Sequence, residues 1–300
     1  MINLENFRVL VTGADGFLGS VIVDYLKMLG VDVIGTTRQI NSDTHVRFIN
    51  IDLEDQSAIK SIEKKGPFDA VIHFAAFIPG NDERSDVIYK NLNITSNLLD
   101  IAVKTKVKNF IFASSCSVYG YQSIPCTELT LPSPPNYYAI SKLACEYVTN
   151  LYTKQHQINN CILRISAPYG PHLRRKTVIT QFIELAARKQ IITIYGSGKR
   201  QQEFIFEDDV ASAIGLVLIN NASGIYNISG NRQVSMYELA RLILGIFDLA
   251  PDDRINFSGI DPQENYRGRF PTQLAENTFG FSPKFDLEDG IIKTIKSWNF

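Results

Sequence analysis

The feature that most constrains the fold is an alternation running through the first half of the chain. Short apolar runs rich in β-branched residues lie at Arg8–Thr12, Val31–Thr36, Val46–Ile51, Ala70–Phe74, Phe110–Ser114 and Cys161–Ile165. Between them lie segments of helical period: Gly19–Leu29, Gln56–Lys64, Ile88–Val103 and Tyr138–Lys154. A near-continuous apolar strand is one buried on both faces, which happens where helices cover a parallel sheet from both sides. Right-handed crossovers then predict an α/β fold with a doubly wound parallel sheet, whose ligand crevice opens beyond the carboxyl ends of the strands. Pro125–Asn136 holds four prolines and is expected to be a loop beside that crevice. After Pro168 the rhythm changes. Val178–Arg188, Glu207–Asn220 and Ser235–Phe247 have helical patterns, Ile191–Tyr195 reads as a strand, and the tail is mixed.

Composition narrows the classes of partner. Thirty basic residues against thirty-one acidic ones give a net charge of -1, so no global field draws nucleic acid or anionic lipid. The longest apolar run, Ala213–Ile219, is too short to span a bilayer. The N-terminus lacks the layout of a signal peptide, and Cys116, Cys126, Cys145 and Cys161 form no CxxC pair and no metal-like spacing with the histidines. A cytoplasmic protein with reduced thiols and no bound metal is the expectation.

The first strand runs straight into Gly13-Ala-Asp-Gly16-Phe-Leu-Gly19 and then an apolar helix. Strand, tight glycine turn and helix N-terminus together are the context that a pyrophosphate site requires. Gly13 permits the turn, Gly16 admits a close approach of the phosphates, and Gly19 lets the helix pack on the sheet, while helix amides face the anion. Gly13, Asp15, Gly16, Phe17, Leu18 and Gly19 are thus candidates to bind a dinucleotide. At the end of the second run, where an acid often bonds the ribose 2′-hydroxyl, the chain has Gly35-Thr-Thr37-Arg38. Thr37 and Arg38 therefore favour NADP(H), with NAD(H) as the other cofactor; the alternative use of Arg38 is stacking on adenine or plain solvation. Asp52 and Leu53 suit an edge contact to adenine, and Asp52 equally suits a helix cap.

Tyr138 and Lys142 lie four apart in Tyr138-Ala-Ile-Ser-Lys142, on one face of a helix. An ammonium about 5 Å from a phenol, at an effective dielectric near 20, would lower its pKa by roughly two units. Ser114, Ser115 and Ser117 stand just beyond a buried strand, followed by Tyr119-Gly120. Hydroxyls there can bond a reacting oxygen and turn it towards the tyrosine.

On these residues the chain resembles the extended short-chain dehydrogenase/reductases of the sugar-nucleotide epimerase/dehydratase family, nearly from end to end. The likeness extends to His73-Phe-Ala-Ala76, Asn91 to Leu99, Pro125-Cys-Thr-Glu128, Leu163-Arg164 through Tyr169-Gly-Pro171, Tyr195-Gly-Ser-Gly198 and Phe204-Ile-Phe-Glu-Asp208. It implies a Rossmann-type nucleotide domain over residues 1–168 and a smaller C-terminal α/β substrate domain over 169–300, with the segment near 204–220 packing back on the first. It implies Ser115 as catalytic hydroxyl, Tyr138 as general acid–base and Lys142 as its partner and as a ligand of the nicotinamide ribose. Phe74, Ala75, Ala76 and Asn91 would line the cofactor cleft, and Ala167 and Pro168 would border the nicotinamide.

Departures from the family pattern matter as much. Dehydratases of this kind place an Asp-Glu pair directly after the catalytic hydroxyl, where this chain has Cys116-Ser117. Many 4-epimerases carry Asn and Arg at the positions of Ala167 and Gln202. A diphosphate clamp could instead use Arg200, Arg267 or Arg269, with Ser115, Ser117 and Tyr138 facing the sugar. The resulting expectation is hydride transfer at a sugar carbon, C4 above others, as reduction of a 4-keto nucleotide sugar, with 4-epimerisation as the alternative. A non-catalytic dinucleotide sensor would not need Ser115, Tyr138 and Lys142 together. A homodimer through Ile88–Val103 and Tyr138–Lys154 is expected from the same resemblance.

Overall fold

The computed structural model describes residues 2–5, 7–38, 47–56, 59–79 and 84–300. Along its first half run β1 (Arg8–Thr12), α1 (Phe17–Met28), β2 (Asp32–Thr37), β3 (Arg47–Asn50), α2 (Ile59–Glu63), β4 (Ala70–His73), α3 (Asp86–Lys104), β5 (Asn109–Ser115), α4 (Tyr137–Gln155) and β6 (Asn159–Ile165). Then come β7 (Ala167–Tyr169), α5 (Val178–Ala187), β8 (Ile192–Tyr195), β9 (Gln201–Phe206), α6 (Glu207–Asn220), β10 (Gly224–Ile228), β11 (Gln233–Ser235), α7 (Met236–Ile246), β12 (Ile255–Ser258), α8 (Gln273–Phe279) and α9 (Leu287–Ser297).

Seven strands form one sheet in the order β10-β6-β5-β4-β1-β2-β3, and every neighbouring pair is parallel. The two-residue period of β1 sorts its side chains. Val9 and Val11 pack with Val21, Ile22 and Leu26 of α1 and Ile214 and Val217 of α6. Leu10 faces the other way, to Ile62 of α2, Leu98 and Leu99 of α3 and Cys145 of α4. Helices on both faces make the sheet doubly wound, as the apolar runs predict. The second half also has a core of its own, where α5, α7 and α9 pack around Ile192, Phe204, Phe206 and Val234. There a three-stranded sheet, β11-β9-β7, lies beside the pair β12-β8.

Several boundaries differ from the sequence reading. The strand read at Val31–Thr36 runs one residue later, because Val31 closes the end of α1, its N–H donating to Leu26 O at 3.1 Å beyond Gly30 at φ 79°. Helix α1 starts at Phe17 rather than Gly19, with Gly16 as its N-cap. The runs read at Val46–Ile51 and Gln56–Lys64 are seen as β3 and α2, and residues 46, 57 and 58 lie outside the described residues. Strand β10 has no run in the sequence to announce it. Gly-Ile-Tyr-Asn-Ile is short and polar at Asn227, and it becomes a strand by pairing with β6, Tyr226 opposite Leu163. No helix among the described residues is long and apolar enough to cross a membrane.

Candidate active site

A cleft of about 950 Å³ opens at the carboxyl ends of the sheet strands, with one wall from each half of the chain. Its first wall is the turn from β1 to α1. Gly13 takes φ 66°, and a Cβ there would lie 2.9 Å from the Ala75 nitrogen. A Cβ on Gly19 would come within 1.9 Å of the Gly13 carbonyl oxygen. The turn therefore tolerates no side chain at either place, and the backbone itself forms the surface. Gly16 offers no side-chain cap, so the first amides of α1 are left to the cleft. Behind the turn, Thr12 Oγ1 meets His73 Nδ1 at 2.9 Å and accepts from the Ala75 N–H at 3.2 Å, while His73 Nε2 meets Thr95 Oγ1 at 3.1 Å. Burial, with Lys142 adding to it, pushes the His73 pKa well down, so this ring is a neutral pillar. A bare-backbone turn facing an uncapped helix N-terminus fits a dinucleotide pyrophosphate.

Phe17, Leu18, Thr37, Arg38, Asp52, Leu53, Phe74, Ala75, Ala76, Ala167 and Pro168 all line this cleft, together with the glycines. Two details at the β2 end were not legible in the sequence. The Thr37 hydroxyl donates to Asp15 Oδ2 at 2.6 Å, so a carboxylate does stand there, supplied by the glycine turn and not by β2. Arg38 is exposed on the rim. Asp52 accepts the Glu54 N–H at 3.0 Å and holds a turn of its own, well ahead of α2.

The other end of the cleft holds Ser115, Tyr138 and Lys142. Ser115 ends β5, and its Oγ accepts the Ser117 N–H at 3.1 Å, capping the 3-10 turn Cys116–Tyr119. With that lone pair engaged, the Ser115 hydroxyl proton is available to a ligand. Ser117 also lines the cleft, and its hydroxyl is buried with no partner among the described residues. Cys116 turns away, its thiol donating to Arg164 O at 3.1 Å. Asn136 caps α4 by accepting the Ala139 N–H at 2.9 Å, and this fixes Tyr138 and Lys142 on the first turns. Lys142 Nζ donates to Ala113 O at 2.7 Å and lies 5.8 Å from the Tyr138 ring centre.

The expected depression of the tyrosine is not what the structure gives. Burial pushes the Tyr138 phenol up to about 12, and the cation that opposes this is Arg175. Burial also brings Lys142 down to about 8. A Coulomb argument at an effective dielectric near 20 omits the desolvation of both groups, and here that is the larger effect.

Two expected contacts are absent from the cleft wall. Asn91 stands behind it, buried, with Oδ1 accepting the Phe77 N–H at 2.6 Å and Nδ2 donating to Phe77 O at 3.1 Å and to Ser141 Oγ at 2.9 Å. Its amide is spent on shaping the Phe74–Pro79 segment. Arg267 folds onto its own loop, donating to the carbonyls of Glu264 and Tyr266 at 2.8 and 3.0 Å. Arg200 does line the cleft, paired to Asp261 at 3.1 Å and donating to Gln263 Oε1 at 3.1 Å. Arg175, which the sequence reading passed over, lines it as well.

A buried network behind the serines also escaped that reading. Arg164 bonds both Glu146 oxygens, at 2.7 Å to Oε2 and 3.0 Å to Oε1, and Ser114 donates to the same carboxylate. Arg164 also donates to the Tyr119 hydroxyl at 3.0 Å, which donates to Asn227 Oδ1 of β10 at 2.8 Å. Glu146 stands four residues beyond Lys142 on one helix, and that spacing was the available signal.

A glycine-walled cradle facing a serine, a tyrosine and a lysine on one doubly wound sheet is the make-up of the short-chain dehydrogenase/reductase class. Comparison with known proteins narrows it further. The chain matches the NAD dependent epimerase/dehydratase family over residues 9–229. A dTDP-D-glucose 4,6-dehydratase of Mus musculus is 29% identical, over 96% of this chain and 88% of that protein. The solved structure of a Thermotoga maritima UDP-glucose 4-epimerase with UDP-glucose superposes with a TM-score of 0.88 at 25% identity, covering 98% of this chain and 99% of that one. A Bacillus cereus UDP-glucuronic acid 4-epimerase in complex with UDP-glucuronic acid and NAD gives 0.85 at 26% identity, with 98% and 99% covered. This chain belongs to the NAD-dependent epimerase/dehydratase family, and it is an enzyme of the extended short-chain dehydrogenase/reductase type.

Proposed function

We propose that the protein inverts C4 of a nucleotide-activated sugar, with NAD(H) kept in the cleft between turnovers. The observation that carries this reading is the distribution of carboxylates. Among the described residues, those lining the cleft are Asp15, Asp52 and Glu54, all at the β2–β3 end, while Ser115, Tyr138 and Lys142 stand without one. Elimination of water needs a base at C5 and an acid at the leaving hydroxyl, and the described residues at the reacting end of this cleft offer no acid residue for either. Exchange of hydride and proton at one carbinol needs neither. The Asp15 carboxylate at Thr37 supports NAD(H) over NADP(H), because an acid at that place suits a ribose 2′-hydroxyl and repels a 2′-phosphate.

NAD bound in the cradle supplies the hydride acceptor and donor. Ser115 donates a hydrogen bond to the reacting sugar oxygen and holds it towards Tyr138. Tyr138 takes the hydroxyl proton and returns it when the other face has been reduced. Lys142 keeps two ammonium protons free of Ala113 O for the cofactor ribose. Arg200 and Ser117 serve the nucleotide-sugar side. Incubation with a panel of nucleotide sugars, read by proton NMR, should show one C4 epimer turning into the other. Tyr138→Phe should lower that turnover by a factor on the order of a hundred or more while calorimetric NAD affinity holds; a variant near the wild-type rate removes Tyr138 from the chemistry.

Reduction of a 4-keto nucleotide sugar by NADPH is the second reading, and exposed Arg38 on the rim is what favours it. If Arg38 meets a 2′-phosphate, Arg38→Ala should weaken NADP(H) about tenfold or more and leave NAD(H) alone. Equal effects on both cofactors would leave only the adenine for Arg38.

The proposed assembly is a homodimer through α3 and α4. Tyr137, Ile140, Ala144, Tyr147 and Leu151 form a heptad-spaced stripe along α4, with Tyr147 at 65% and Leu151 at 62% exposure, and Tyr89 of α3 is 74% exposed. Leu151→Glu should convert a dimer to a monomer in light scattering. A wild-type protein that is already monomeric contradicts this assembly.

A further inference from the structure

Tyr138 needs a lasting positive charge beside it, and Lys142 is badly placed to be that charge alone. Its ammonium donates to Ala113 O and lies over the Phe112 ring, 4.9 Å from the centre. Burial brings it down to about 8, so it loses its proton in the alkaline range where an acid–base tyrosine is most active. A guanidinium keeps its charge throughout.

Arg175 sits on the loop between β7 and α5, in the opposite wall of the cleft. Its Nη2 crosses to the first wall and donates to Pro79 O at 3.0 Å. Pro79 closes the segment whose Phe77 backbone is held by Asn91. Asn91 in turn donates to Ser141 Oγ, and the Ser141 hydroxyl donates to the Tyr138 carbonyl at 2.7 Å. One chain of hydrogen bonds, broken only by Phe77-Ile-Pro79, thus joins the anchor of Arg175 to the helical turn that carries Tyr138.

We propose that Arg175 is a positioning residue of the reaction, a guanidinium latched across the cleft so that its permanent charge acts on the Tyr138 hydroxyl. The proposal rests on Tyr138 being the proton-transfer group. The groups that face the phenol are few. Its own helix brings Lys142 and the Cys145 thiol, the β5 turn brings uncharged Ser115, and the described part of the Phe74–Pro79 segment brings nothing that titrates. Across the cleft stand Arg175 and, further along, Arg200, whose charge Asp261 balances. Among the described residues, the partner of Arg175 is a neutral carbonyl and not a carboxylate. Arg175 is exposed, and solvent screening limits the expected size of the effect.

The test needs no substrate. A fluorinated tyrosine, intrinsically more acidic, is installed at position 138, and its titration is followed by fluorine NMR in the full-length protein. Arg175→Met should raise the midpoint by about half to one pH unit. Arg175→Lys, which restores the charge, should return it to within a few tenths of the starting value. An unchanged midpoint in Arg175→Met overturns the proposal, and so does an equal rise in both variants, since packing and not charge would then be responsible. The alkaline limb of turnover in Arg175→Met should move the same way. Because the titration reads the phenol directly, a failure here is distinguishable from a Tyr138→Phe variant that keeps its activity.

Discussion

The two walls of the cleft are built by different means. The first is backbone: a glycine turn, the amides of α1 and a segment held by Asn91 and Thr12, all resting on buried parallel strands. The second is side chain: Arg175, Arg200, Gln202 and Tyr266, carried on loops and on β9. A backbone wall can serve the part of the ligand that never changes, because its geometry is set by the fold. A side-chain wall can be changed one residue at a time, and that is where a family of shared fold can differ in substrate. Gln202 on β9, with Arg200 just ahead of that strand, is a place where a change of this second kind can act.

The largest effect should come from the buried network behind the serines, on the sheet that supports the first wall. Arg164→Met leaves the Glu146 carboxylate buried at 2% exposure without its cation and should cost about 3–5 kcal/mol in urea unfolding. A loss under about 1 kcal/mol would mean the pair is loosely held and that β10 is joined to the serines by packing alone. Next, Gly19→Ala must push the Gly13 carbonyl out of the turn, and NAD affinity should fall by roughly a hundredfold or more in calorimetry. Unaltered affinity would show that the backbone wall is more yielding than this comparison requires.

The buried lysine gives an effect of similar size that depends on pH. Lys142 titrates near 8 in the folded protein against an ordinary value of 10.5. Below pH 8 the folded state carries the full cost of the buried ammonium. Between pH 8 and 10.5 it has released the proton while the unfolded chain still binds one, so stability from this group rises with pH. Relative to Lys142→Met, the wild type should therefore gain about 2–3 kcal/mol across that window in paired urea titrations. A flat difference would place the ammonium in solvent. The smallest effect belongs to the other region. Gly245 in α7 has nothing within 4 Å of where a Cβ would sit, so Gly245→Ala should stabilise by at most about 1 kcal/mol and leave cofactor binding alone.

The same contrast explains what the sequence could disclose. The apolar runs located six of the seven sheet strands, since burial on both faces leaves a mark on every residue of a strand. Strand β10 left none, because its identity comes from Leu163 and its neighbours on β6. Tyr138, Lys142 and Ser115 were legible as a spacing on one helix and a position after one strand, and the structure brings all three to the cleft. Asn91 and Arg267 were taken for cleft-lining groups, yet which way a polar side chain turns is decided by the backbone it meets, that of Phe77 on another segment for Asn91 and the carbonyls of its own loop for Arg267, and a pattern of residue types does not reveal either. Asp15 was visible only as part of a turn. That its carboxylate reaches Thr37, and so restores an acid to the end of β2, follows from how the turn folds.

The central claim is that one cleft removes and returns hydride at the same sugar carbon, with its cofactor retained. A nucleotide sugar deuterated at C4, offered to the wild-type enzyme without added cofactor, tests it most directly. The account predicts C4 inversion with the deuterium still on C4 of the product, followed by mass and proton NMR. Conversion that stops without added NADPH, or product that has lost its label, would contradict it.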